Sequence, residues 1–85
     1  MRERAGERAA RYLKVTSKSL ESLKVKKSRS LIRLSQTNYV SELARDYARD
    51  AEHYLGKRKP VTALACIAYA EGLLDALKFL QLAEF

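Results

Sequence analysis

Along the first part of the chain, Ala9, Leu13, Thr16, Leu20 and Leu23 recur at the 4-3-4-3 spacing that places residues on one stripe of a helix, and Tyr12 widens that stripe. The pattern predicts an amphipathic helix over about 3–26. Its phase is lost in "KSRSLIRLSQTN", where Leu31 and Leu34 continue neither neighbouring stripe, so this segment reads as a connection, with Thr37 or Asn38 placed to cap a second helix. Val40, Leu43, Ala44, Tyr47, Ala51 and Tyr54 predict that second helix over about 38–55. Gly56 suits a left-handed residue just past its end, and Pro60 suits the first turn of a third helix over about 60–82. A short turn between them makes the second and third helices antiparallel neighbours.

The third pattern differs in kind from the other two. "ALACIAYAEGLLDALKFL" carries only Glu71, Asp75 and Lys78 as charges, and these fall in one narrow wedge at 100° per residue. A helix apolar around most of its circumference must be covered from two sides. The economical arrangement is an all-α, compact antiparallel three-helix bundle, residues 1–85 forming one domain, with this helix between the other two. Leu73 and Leu77 are then expected to be largely buried. Ala63, Ala65, Ala68, Ala70, Gly72 and Ala76 would let backbones approach closely, and close packing is the expected reason for a helix-interior glycine.

Composition sharpens this picture only in places. With 85 residues the chain supports one small core. Its single cysteine, Cys66, excludes an intrachain disulfide and a cysteine-built zinc site, and fits a reducing, cytoplasmic setting. No apolar stretch follows the charged N-terminal residues and no run reaches the eighteen or so uncharged residues of a membrane span, so neither export nor membrane insertion is expected. The net charge of +7 is uneven: residues 1–38 hold eleven Lys/Arg against three Asp/Glu, and residues 39–85 hold six against seven. That asymmetry points toward anionic partners or toward a highly charged, solubilising surface.

The basic residues have a geometry. Arg4, Arg11 and Lys18 repeat every seven residues opposite the leucine stripe, with Arg8 beside them, and an up-down-up bundle brings the turn Lys57, Arg58, Lys59 to the end where the first helix begins. Together they form a candidate anion or nucleic-acid surface. Few aromatics interleave with them, and the tyrosines mostly fall on or beside the apolar stripes, which argues for core filling over base stacking. Glu71 and Asp75, four residues apart, form a candidate polar pair that could serve one proton or one metal; the competing reading is a solvated stripe or a pair of acceptors for tyrosines of a neighbouring helix. Asp50 and His53 share a helix face but lack the further inward ligands of a metal site. Cys66 sits among Leu64, Ala65 and Ile67 with no base beside it in sequence, and no glycine-rich phosphate loop is present. No catalytic machinery, metal site or cofactor site is visible, so an enzyme is not expected.

The helix pair "DYARDAEHYLGKRKPVTALACIAYAEGLLDALKFL" resembles a small archaeal family catalogued as domain of unknown function 357. The likeness rests on Tyr47, Ala51, Tyr54 and Leu55, then on Val61, Ala63, Ala65, Tyr69, Ala70, Gly72, Leu74, Asp75 and Ala76. It implies a small helical bundle and no assigned activity. Arg58 and Lys59 depart from the pattern, standing where family members tend to carry a Gly-Asp or similar pair. A looser similarity to tetratricopeptide-type hairpins implies no array, because only one hairpin is present.

These patterns favour a non-catalytic module for protein binding or self-assembly, with nucleic-acid binding through the basic first helix and the "GKRKP" turn as the alternative. Leu64 and Leu82 share the wedge of Glu71 and Asp75, and Phe79, Leu80 and Phe85 add apolar surface near the chain end, so a homodimer through this surface is expected.

Overall fold

The computed structural model describes residues 4–26 and 33–85, in which three helices pack into an all-α bundle. Part of the connection, including Lys27, Arg29 and Leu31, lies outside the described residues. The elements are α1 (Ala5–Glu21), β1 (Lys24–Val25), α2 (Leu34–Gly56), α3 (Pro60–Phe79) and β2 (Ala83–Glu84). Helix α3 packs against both α1 and α2, and those two touch each other less. The three helices thus pack mutually, with α3 covered on one side by both partners and not enclosed from two sides as the sequence suggested.

The core is built from three stripes of matching rhythm. On α2 the buried residues are Thr37, Ser41, Ala44, Ala48 and Ala51, and on α3 they are Ala63, Ile67, Ala70, Leu74 and Leu77, both at 4-3-4-3 spacing. Helix α1 adds Ala9, Thr16 and Leu20. Most of these side chains are small, so the helix backbones come close, and Ile67 and Thr16 are the largest side chains fully enclosed. The bulkier Tyr12, Leu13, Leu23, Tyr47, Leu64 and Leu73 pack half-buried around this centre. Leu77 is buried as expected, whereas Leu73 is only half-buried.

Several boundaries differ from the sequence expectation, each for a physical reason. Helix α2 starts at Leu34, so Thr37 and Asn38 lie inside it and do not cap it. The backbone N–H of Arg33 donates to Gln36 Oε1 at 2.8 Å, half of a capping box that satisfies one end group. The hydroxyls of Thr37 and Ser41 donate to the carbonyls of Arg33 and Thr37 at 3.4 and 3.0 Å, which lets both polar side chains be buried on the helix stripe. Gly56 is helical, and the left-handed residue of the turn is Arg58, with φ 59°. Pro60 opens α3 as expected.

Helix α1 ends at Glu21 and α3 at Phe79, both short of the predicted limits. After α3 the chain reverses through Gln81, also left-handed at φ 57°, and runs back along the end of α1. Lys24 pairs with Glu84 and Val25 with Ala83 in an antiparallel ladder, and the Lys26 N–H donates to the Leu82 carbonyl at 2.8 Å. The helical spacing gives no sign of this small strand pair. It buries Leu82 and Ala83 beside Leu77, with Leu23, Val40 and Phe85 packed against them.

Candidate functional site

Helix α3 presents two opposite faces of nearly the same chemistry. At 100° per residue, Val61, Ala65, Ala68, Tyr69, Gly72, Ala76, Phe79 and Leu80 fall within about 120° of one another, directly across from the Ile67 and Leu74 stripe. All eight are exposed. Phe79 is 82%, Val61 71%, Leu80 59% and Tyr69 53% accessible. The face carries no charged side chain, in a chain whose residues are 32% charged.

Two expectations are corrected here. Gly72 does not serve close packing within the protomer, because a Cβ built on it would meet nothing within 4 Å. The apolar surface expected at Leu64, Leu82 and Phe85 is largely internal: Leu64 and Phe85 are half-buried against the core and Leu82 is buried. Phe79 and Leu80 alone of that set stay outside, joined by residues on a different side of the helix.

Glu71 and Asp75 mark the seam between α3 and α1. Glu71 is half-buried, and Glu71 Oε1 accepts a hydrogen bond from the Thr16 hydroxyl at 3.0 Å. That bond satisfies the buried hydroxyl of α1. Asp75 is exposed at the rim of a small cleft of about 150 Å³ shared with Val15, Ser19 and Phe85. The pair therefore includes an acceptor for a neighbouring helix, but its donor is a threonine and not the tyrosine that the sequence suggested. On the opposite seam, Tyr69 stacks on Tyr47 of α2 with ring centroids 4.4 Å apart, and beside it Cys66 is half-buried. Burial, and then the Asp50 carboxylate, push the Cys66 thiol above its ordinary pKa, so the unreactive protonated form is favoured at neutral pH.

The basic residues gather as the up-down-up arrangement implies. A Cβ on Gly6 would lie 3.4 Å from that of Pro60, so the start of α1 and the start of α3 share one end of the bundle. Arg4, Arg8, Lys57, Arg58 and Lys59 are all exposed there. Arg11 lies over the Tyr12 ring at 5.2 Å, and Lys18 is exposed further along α1. At the other end, Lys26 pairs with Glu84 at 3.7 Å.

Asp50 and His53 are exposed on α2, where His53 meets the edge of Tyr54, and among the described residues no group of three or more metal-ligating side chains comes together. The tyrosines divide: Tyr12, Tyr47 and Tyr54 are half-buried, while Tyr39 and Tyr69 are mainly exposed and do not fill the core. An apolar cleft of about 210 Å³ opens beside Ala76 and Leu80, bounded by Val40, Leu73, Leu77 and Leu82. It extends the exposed face of α3 toward α2. By length and composition alone α3 also matches a membrane-crossing helix, a match that the core helix of a soluble bundle shares; in this fold one side of it packs against two amphipathic helices.

The exposed face escaped notice in the sequence because a helix apolar around most of its circumference gives no sign of which apolar side is covered. Its one legible trace was Gly72 among alanines on a side without charges. A family model described as a protein of unknown function (DUF357) matches residues 11–83. No curated protein and no solved structure matches the chain.

Proposed function

Because the chain belongs to the DUF357 family, whose function is unknown, we propose from its own geometry that it is a non-catalytic module that binds protein through the exposed face of α3. The observation that carries this reading is the continuous uncharged surface from Val61 to Leu80, with Phe79 82% accessible. A monomeric soluble protein rarely exposes a contiguous apolar patch of this kind, and such patches mark docking surfaces. The cleft beside Ala76 and Leu80 gives a partner side chain a place to anchor.

The test is recovery of partners by the native chain from its own cells, with and without nuclease. Ala65→Glu with Phe79→Glu places two charges on the face without touching the core and abolishes recovery of a protein partner. Replacing Lys57, Arg58 and Lys59 by Ala leaves that recovery intact. The opposite pattern would sink the proposal.

The second reading, nucleic-acid binding, draws support from the gathering of Arg4, Arg8, Lys57, Arg58 and Lys59 at one end of the bundle. Contact with about four phosphates would give a log–log salt slope near −3.6 on duplex DNA. The triple Ala variant would make that slope shallower by roughly one unit per lost contact. Submicromolar affinity at physiological salt that is lost in that variant would put this reading first.

A further inference from the structure

We infer that the occupant of the exposed α3 face is a second copy of this chain, packed antiparallel about a two-fold axis that passes beside Gly72. The inference rests on reading this face as a docking surface, and it adds the partner and the geometry.

Symmetry of the residue spacing is the first argument. Ala65 and Phe79 lie seven residues either side of Gly72, and Ala68 and Ala76 lie four residues either side, so these exposed positions meet one another when the helix is paired with its reversed copy at Gly72, with Tyr69 of one copy set against Asp75 at the rim of the other. A two-fold interface brings one patch against its own copy, which requires that kind of self-complementarity. In the antiparallel pair Phe79 of each copy faces the small Ala65 of the other, and the two Gly72 positions meet near the axis. Large residues thus meet small ones at both ends.

Space at Gly72 is the second. In a helix interior glycine costs about 1 kcal/mol relative to alanine, and nothing in the protomer lies within 4 Å of where its Cβ would be. The cost has no return inside one chain. Two α3 backbones crossing at Gly72 would give it one, since the absent Cβ sets how closely they approach.

Area and charge complete the case. Aromatic side chains bury on the order of 150–250 Å² each. At the accessibilities of Val61, Tyr69, Phe79 and Leu80, these four expose roughly 500 Å², and the alanines add to it. A standard interface takes about 800 Å² per partner, so this face supplies most of one. Each chain carries a net charge of +7, which opposes association, but the face itself bears no charge. Antiparallel packing separates the two Lys57–Lys59 turns by the length of the helices and sets each beside the other copy's α3 C-terminus, the negative end of that helix dipole. Parallel packing would put the two basic turns side by side.

Sedimentation of the purified chain tests this directly. The expected result is a species of twice the 9.7 kDa chain mass at tens of micromolar. Gly72→Arg weakens association by at least about 100-fold, because two like charges would meet at a desolvated axis. Its circular dichroism and melting midpoint, measured at concentrations where both proteins are monomeric, are not lowered, since the protomer has open space there. Three single-cysteine variants, Ala65→Cys, Gly72→Cys and Phe79→Cys, each made with Cys66→Ser, fix the orientation. Mild oxidation cross-links the Gly72→Cys variant alone, because equivalent Ala65 positions stand roughly 20 Å apart in the antiparallel pair.

Ready cross-linking at position 65 or 79, or a dimer that survives Gly72→Arg, would overturn the geometry. A chain that stays monomeric would overturn the second copy as occupant, and so would one that floats with vesicles of phosphatidylcholine and phosphatidylserine through this face. Neither of these results decides whether another protein docks there, which the partner-recovery experiment reads separately.

Discussion

The two faces of α3 differ little in composition and completely in surroundings. Ile67, Ala70, Leu74 and Leu77 are enclosed by α1 and α2, while Val61, Ala65, Tyr69 and Phe79 face outward. What separates them is the complement offered by the neighbours: α1 and α2 each bring one stripe of small residues, and both stripes converge on the same side of α3. Hydrophobicity therefore marks a surface that needs a partner without saying whether the partner lies in the same chain.

The largest test of this contrast is truncation on each face. Ile67→Ala is expected to cost about 2–5 kcal/mol through lost transfer energy and a residual cavity, whereas Phe79→Ala changes monomer stability by less than about 0.5 kcal/mol. Denaturant unfolding at concentrations below association measures both. Equal costs would mean that the outward face is covered within the chain.

The seam between the faces gives the next effect. Thr16→Val removes the donor to Glu71 with little change in volume and is expected to destabilise by about 1 kcal/mol, the size of an ordinary hydrogen bond, because Glu71 is only half-buried. Thr16→Ser restores most of the loss in the same unfolding assay. A neutral Thr16→Val would show that apolar packing alone sets the register of α1 on α3.

A smaller gain is expected where α3 begins. Arg58 holds a left-handed backbone at φ 59° with a side chain that disfavours it, so Arg58→Gly stabilises by about 0.5–1 kcal/mol, read as a raised unfolding midpoint. If stability falls instead, contacts of the Arg58 side chain outweigh its backbone strain.

Cys66, on the seam with α2, yields the smallest effect. Its folded pKa is raised by burial first and by Asp50 second, so the native state holds the thiol proton after the unfolded chain has lost it. The stabilising contribution is present below the unfolded thiol's pKa and is lost as pH rises through the folded value. Cys66→Ala should flatten the alkaline decline of stability, and the native thiol should react with alkylating agents more slowly than a free cysteine. Reaction at the free-cysteine rate would show that the seam opens readily.

Much of the fold was legible because helical spacing is a strong signal wherever one face is polar. The Leu13 and Leu20 stripe, the turn before Pro60 and the packing of α3 against both other helices all came from it. The start of α2 was not, because Thr37 and Asn38 look like capping residues until the Thr37 hydroxyl is seen to bond the carbonyl four residues back, inside the helix. The left-handed position was misplaced for a related reason: Gly56 is cheapest there, yet the turn falls two residues later and Arg58 bears the strain. On the candidate surface, the gathering of basic residues at one end came from topology. The exposed face did not, since α3 is nearly uniform around its axis and only its neighbours distinguish the sides.

The ladder joining Lys24–Val25 to Ala83–Glu84 links positions nearly sixty residues apart. Closing so long a loop costs more chain entropy than the local contacts of the helices and of the α2–α3 hairpin, so this contact forms late. Until it forms, Leu77 lacks its cover of Leu82 and Ala83. A folding chain at that point exposes apolar surface on α3 beyond the outward face, and this interval is when a premature encounter with another copy would act on it.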